Sequence, residues 1–124
     1  MQNNSADLSR QLALALGYHP ESVRIIPSDI GPENDECQVF RVPTHSISQD
    51  FACWLLFEYT DPTVVVQLIK WLMVEHGAFP TRTMLGDEFT GFMIRGAPQV
   101  PDVSWLTLEL AVARAVIAVG VKHA

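Results

Sequence analysis

The residues able to do chemistry are few and scattered. The imidazoles are His19, His45, His76 and His123, and the thiols are Cys37 and Cys53. No two histidines stand roughly three to five residues apart, the spacing that aims a pair of imidazoles at one zinc ion from a single helical face, so helical zinc motifs are absent. Neither cysteine belongs to a CxxC pair, and neither is flanked by a His or second Cys at ligand spacing. Both thiols fall in strand-like runs, where a cysteine behaves as a small buried hydrophobe rather than as half of a disulfide. Thr44-His45-Ser46 is the one place where a hydroxyl adjoins an imidazole. Neighbours in an extended chain point to opposite sides, so a Ser–His nucleophile pair is normally assembled from distant segments. A dispersed enzyme site would draw on His45 with Asp50 or Glu58. His76 closes a helix, where the dipole favours a partly positive imidazole in a structural role.

Neither GxGxxG nor GxxxxGK[ST] occurs, so the Gly-rich routes to a dinucleotide or a nucleoside triphosphate are missing, and no cofactor is implied. Ser28–Glu36 gathers Asp29, Glu33, Asp35 and Glu36 in one Gly/Pro/Asn-containing stretch. It lacks the alternating ligands of an EF-hand loop and reads as a solvated loop, or as an acidic lip for a protein partner. Arg24, Arg41, Arg82, Arg95 and Arg114 outnumber the two lysines; Arg82 and Arg95, from a hairpin, are the candidate ligands for an anionic metabolite or nucleotide. Trp54 and Trp71 lie in apolar runs and read as core. Trp105 opens the last helix and, if exposed, reads as an interface anchor.

These residues sit in a chain of 124 amino acids, the size of one domain over residues 1–124. Hydrophobic residues make up 48% and charged residues 18%, a balance that supplies a core and argues against disorder. Fourteen acids against eight basic residues give a net charge of −6, the wrong sign for phosphate backbones or anionic lipid. The acids are too sparse along so apolar a chain for close mimicry of DNA. No run approaches the about 18 apolar residues of a membrane span, because Gln67 and Lys70 interrupt one candidate and Glu109 and Arg114 the other. The segment Met1–Asp7 lacks the basic and apolar runs of a secretion signal, which predicts a cytoplasmic protein.

The periodicity supplies the scaffold. A first helix is predicted from Asn4 or Ser5 to Leu16, with Leu8, Leu12, Ala15 and Leu16 inward, Ser9, Arg10 and Gln11 toward water, and Gly17 as its stop. Val23–Ile26 reads as a short strand. Cys37–Val42 reads as another, with Cys37 and Val39 on one side and Gln38, Phe40 and Val42 on the other. Phe51–Tyr59 is nearly continuous in apolar residues and predicts the central strand of the sheet, covered on both faces. Asp61 caps a helix that opens at Pro62 and runs to His76, packing through Val65, Leu68, Ile69, Leu72 and Met73 or Val74. Thr81–Leu85 and Glu88–Arg95 flank Gly86-Asp87 as a hairpin. A last helix is predicted over Ser104–Val119, so apolar that more than one side needs cover, which suggests a homodimer. The class is α+β: a mainly antiparallel sheet of about four to five strands covered by three helices, on one face or two.

The run Phe57-Glu58-Tyr59-Thr60-Asp61, the Trp71 helix after it, the hairpin and the Ala-rich closing helix resemble the phage ABA sandwich domain, over about Leu12 to Gly120 in order of elements. This chain departs from that pattern in having Pro62 after the aspartate and no tryptophan in the hairpin. The resemblance implies an α-β-α layered domain of a small phage or prophage protein that carries no catalytic residues. It implies binding or inhibition of a host factor, including a defence system, in the host cytoplasm. The residues by themselves leave a non-enzymatic protein-binding module, a small-ligand binder and an enzyme with a dispersed site in contention.

Overall fold

The computed structural model describes residues 5–43 and 51–120. Two compact units divide the chain, Met1–Glu58 and Tyr59–Ala124.

In the first unit, helix α1 (Ser5–Ala15) is followed by strands β1 (Val23–Ile26), β2 (Glu36–Arg41) and β3 (Cys53–Leu56), with single 3-10 turns at Pro20–Ser22 and Pro32–Asn34. The sheet is antiparallel in the order β1-β2-β3. Its register sets Val23 against Val39, Arg24 against Gln38, Phe40 against Trp54 and Gln38 against Leu56. Helix α1 packs on β1 and β2. It buries Leu8 and Leu12 with Val23, Cys37 and Val39, and a fully buried Leu or Val contributes about 1.5–3 kcal/mol. The predicted phase of β2 holds, since Cys37 and Val39 are buried and Phe40 is exposed. One neighbour in α1 is corrected: Ser9 is 1% exposed, because Ala6, Ser9 and Ala13 are small enough for the inward stripe to widen past Leu8 and Leu12.

The expectation for β3 is also corrected. It is an edge strand, not the central one, and Cys53 and Leu56 are exposed. A continuous apolar run satisfies the pattern of a two-sided strand whether or not a second layer exists. Trp54 is accordingly half-exposed rather than core.

The second unit runs α2 (Pro62–His76), β4 (Phe79–Leu85), β5 (Glu88–Arg95), α3 (Leu108–Val119). Asp61 caps α2 by accepting the Thr63 N–H at 3.0 Å, Pro62 occupies the first turn, and Gly77 ends the helix at φ 63°. Its buried stripe is Val65, Leu68 and Leu72. Met73 and Val74, one or the other of which was expected to pack, are both exposed, and Trp71, expected in the core, is half-buried with its ring 4.8 Å from that of His76. The stripe is narrower than the sequence suggests, because apolar residues occupy nearly every angle of this helix and only one side has a layer to meet.

Strands β4 and β5 form the predicted hairpin around Gly86-Asp87, with Gly86 at φ 62° and a register shift at Thr83/Met84. Helix α3 starts later than expected, at Leu108, where the Thr107 hydroxyl accepts the Leu110 N–H at 3.1 Å. Ser104 and Trp105 instead extend the hairpin: Trp105 and Phe92 exchange two backbone hydrogen bonds, each 2.7 Å. Helix α3 packs on α2, β5 and β4, and Ala111, Val112, Ala113, Ala115, Val116 and Val119 are buried. Its apolar surface is therefore covered by its own unit, which removes the reason for which a homodimer was expected.

Among the described residues, three α-helices and five antiparallel strands give the α+β class, with the strands divided between a sheet of three and a sheet of two rather than gathered in one. Among the described residues no helix is long and apolar enough to cross a membrane.

Candidate protein-binding face

Alternation along the strands of the first unit puts Arg24, Gln38, Phe40, Trp54 and Leu56 on the sheet face opposite α1. Phe40 and Leu56 are 43% and 52% exposed, although a large apolar residue in a sheet normally meets a second layer. The Phe40 and Trp54 rings meet edge to face with centroids 5.4 Å apart. The Arg24 guanidinium lies 4.0 Å above the Trp54 ring and donates from Nε to Gln38 Oε1 at 2.9 Å. This is an exposed aromatic platform that carries a positive charge.

Among the described residues, nothing pairs with the outer side of β3 at the margin of this platform. The Phe57 N–H donates to the Cys37 carbonyl at 2.8 Å, which sets the phase of the ladder. Cys53 and Leu55 then direct their backbone groups toward β2, and Trp54 and Leu56 direct theirs away from it. The outward backbone groups of β3 thus belong to the residues whose side chains stand on the exposed face. Backbone donors and acceptors beside an apolar face are what an incoming extended segment requires.

The residues singled out in the sequence are placed variously. Arg82 pairs with Phe92 and Arg95 with Phe79; three positions separate Phe79 from Arg82, so the two arginines project from opposite faces of the hairpin. One hairpin does not bring them onto a common anion. Asp35 is a structural acid, its carboxylate accepting the Ser28 N–H at 2.8 Å and tying the loop. Asp29 and Glu36, with Ile26, Pro27, Ser28 and Asn34, line a shallow pocket of about 270 Å³, while Glu33 is exposed. Trp105 is half-buried, pinned by its bonds to Phe92 and by the Arg114 guanidinium 5.4 Å from its ring, so it is fixed in its own unit rather than free as an anchor. The Arg114 Nε is buried without a hydrogen-bond partner among the described residues.

For catalysis the described residues offer little. His45, Ser46 and Asp50 lie outside them, and Glu58 is exposed. His19 caps the 3-10 turn, its Nδ1 accepting the Glu21 N–H at 3.2 Å. Burial pushes the Cys37 thiol up from 9.0 to about 11, with Arg10 pulling more weakly the other way, which makes it a poor nucleophile. Cys37 and Cys53 are both free thiols. Among the described residues no three His, Cys, Asp or Glu side chains are grouped to hold a metal ion.

Sequence reasoning did not find the platform. By type, Arg24 reads as one strand arginine among several, and Trp54 as core. The available signal was in β2, where Phe40 occupies the same phase as Gln38 while Cys37 and Val39 take the inward phase. A large aromatic on the polar side of an alternating strand marks an exposed apolar site. Comparison with models of known protein families, with curated proteins and with solved structures finds no match.

Proposed function

We propose that the chain is a non-enzymatic binding module that takes up an extended, largely apolar segment of a protein partner on the uncovered face and outer edge of the three-stranded sheet. The observation that carries this reading is the coincidence of Phe40, Trp54 and Leu56 on one face with the outward backbone groups of Trp54 and Leu56. Main-chain hydrogen bonds along β3 would supply register, and the aromatic platform would select alternate side chains. The acid excess favours a partner that is basic outside the bound segment, and Asp29, Glu33 and Glu36 provide exposed carboxylates for it. In line with the resemblance to phage ABA sandwich domains, the partner is a host protein met in the host cytoplasm and the effect is inhibitory. A second copy of the chain is a further proposed partner, through Val66, Met73 and Val74 of α2 and Met84, Leu85 and Phe89 of the hairpin, all exposed.

Native mass spectrometry of the wild type and of Leu56→Asp, each before and after incubation with host lysate, tests these proposals. The wild type is expected as a dimer that gains a defined protein mass, and Leu56→Asp as a dimer that does not. An adduct retained by Leu56→Asp would place the partner elsewhere, and a wild type that stays monomeric would remove the second copy.

A further inference from the structure

Like the other described arginines, Arg24 has no acid partner among the described residues; it differs in being engaged at once by a ring and by an amide. Its Nε is engaged by Gln38 and its plane by Trp54, and no carboxylate of the described residues lies within ion-pair distance of it. Acids outnumber basic residues in this chain by fourteen to eight, so carboxylates are not scarce. Glu36 stands on the same face, opposite Ile26, yet the guanidinium is turned over Trp54. A guanidinium has five N–H donors in a planar fork; with Nε used, the two terminal nitrogens keep their donors for a ligand.

Position matters as much as chemistry. Arg24 rises from β1, the far strand of the sheet, but its guanidinium lies above a ring in β3. Held by Gln38 of β2 and by the Trp54 ring, it reaches from β1 across the central strand toward β3, beside which an added strand would run about 4.8 Å further out. Stacking and the Gln38 bond have already cost the side chain most of its rotamer freedom, so little remains to be lost when a ligand arrives.

Resting on the binding reading above, we propose that Arg24 is its specificity-determining residue, and that the segment taken up carries an Asp or Glu flanked at alternate positions by apolar side chains. The carboxylate meets the terminal guanidinium nitrogens, and the flanking side chains cover Phe40, Trp54 and Leu56. A free phosphate or sugar acid would satisfy the guanidinium and leave the three apolar side chains in water, so a protein segment fits the whole surface better.

The test uses capped extended peptides that alternate Ile or Val with Thr and differ at one central apolar-phase position, occupied by Glu, Gln or Lys, with binding followed by Trp54-sensitive fluorescence and by amide exchange at Trp54 and Leu56. The full-length wild type is expected to prefer the Glu peptide to the Gln peptide by about tenfold and to bind the Lys peptide least. Arg24→Gln should flatten this preference and Arg24→Lys should keep part of it, while Arg82→Gln leaves it unchanged. Equal binding of the Glu and Gln peptides by the wild type, or a preference that survives in Arg24→Gln, would overturn the role of Arg24 and leave the binding face standing. Failure of every peptide to bind or to protect β3 would overturn the binding reading, and this inference with it.

Discussion

Leu12 and Leu56 are the same residue type on opposite sides of one small sheet, and truncating each to alanine measures how differently the two sides are covered. Leu12 of α1 is 0% exposed, so Leu12→Ala should cost about 3–5 kcal/mol, the loss of transfer free energy plus an unfilled cavity. Leu56 is 52% exposed. With about half of its surface still in water, it retains about half of the 1.5–3 kcal/mol of a fully buried leucine, and no closed cavity forms when it is cut back, so Leu56→Ala should cost about 1 kcal/mol. For a chain of this length each kcal/mol is worth about 4 °C in Tm, which separates the variants by on the order of 10 °C. Urea unfolding followed by tryptophan fluorescence, with thermal melts by circular dichroism, resolves a gap of that size, and m must stay constant for the comparison to hold. Equal losses in the two variants would refute the reasoning, because they would mean that Leu56 is packed as closely as Leu12 and that the platform is not open.

The remaining predictions concern the thiols and one glycine. Cys53 should react with a thiol reagent at once under native conditions, and Cys37 only after unfolding, as mass spectrometry of the labelled peptides would show. Because the folded Cys37 pKa lies above its unfolded value, its contribution to stability is fully present below pH 9.0 and fades as pH rises toward about 11. The loss is on the order of 2 kcal/mol across that window, and it should vanish in Cys37→Ala when unfolding is followed against pH. Gly91→Ala should destabilise the second unit by about 1–3 kcal/mol, since Gly91 sits at φ 141° and a Cβ there would run into the Trp105 carbonyl; amide exchange should speed up at Phe92 and Trp105 in particular.

What was legible in the sequence is what local chemistry decides. Asp61-Pro62 and Gly77 bracket α2 because a cap and a positive φ are needed wherever the helix packs, and Gly86-Asp87 turns the hairpin for the same kind of reason. The class, α+β with three helices, followed from those elements. What was not legible depends on a second layer. The run Phe51–Tyr59 has the composition of a buried strand, but composition records only that water is avoided, and an exposed binding face avoids water in its occupied state. Ser104 is as good a cap by type as Thr107, so the sequence alone starts α3 too early; the backbone pairing of Trp105 with Phe92 decides between them, and that pairing is long-range. Arg82 and Arg95 looked like a pair because they share a hairpin, until register put them on opposite faces.

An edge strand such as β3 is normally defended. Natural sheets protect their outer strands with lysine, proline or a bulge, since a free ladder beside apolar side chains invites pairing with any extended chain. Cys53-Trp54-Leu55-Leu56 carries none of these devices, and the face it borders exposes Phe40 and Leu56. The net charge of −6 is spread over the chain and does nothing local to this edge. Arg24 is a charged group held above the ring of Trp54 rather than across the outward backbone groups, so it leaves the ladder open and adds a polar requirement to whatever pairs there. An apolar edge that admits any extended chain is a liability; the same edge beneath a fixed and unpaired guanidinium discriminates, because a segment that covers Arg24 without offering it an acceptor forfeits the water it displaces.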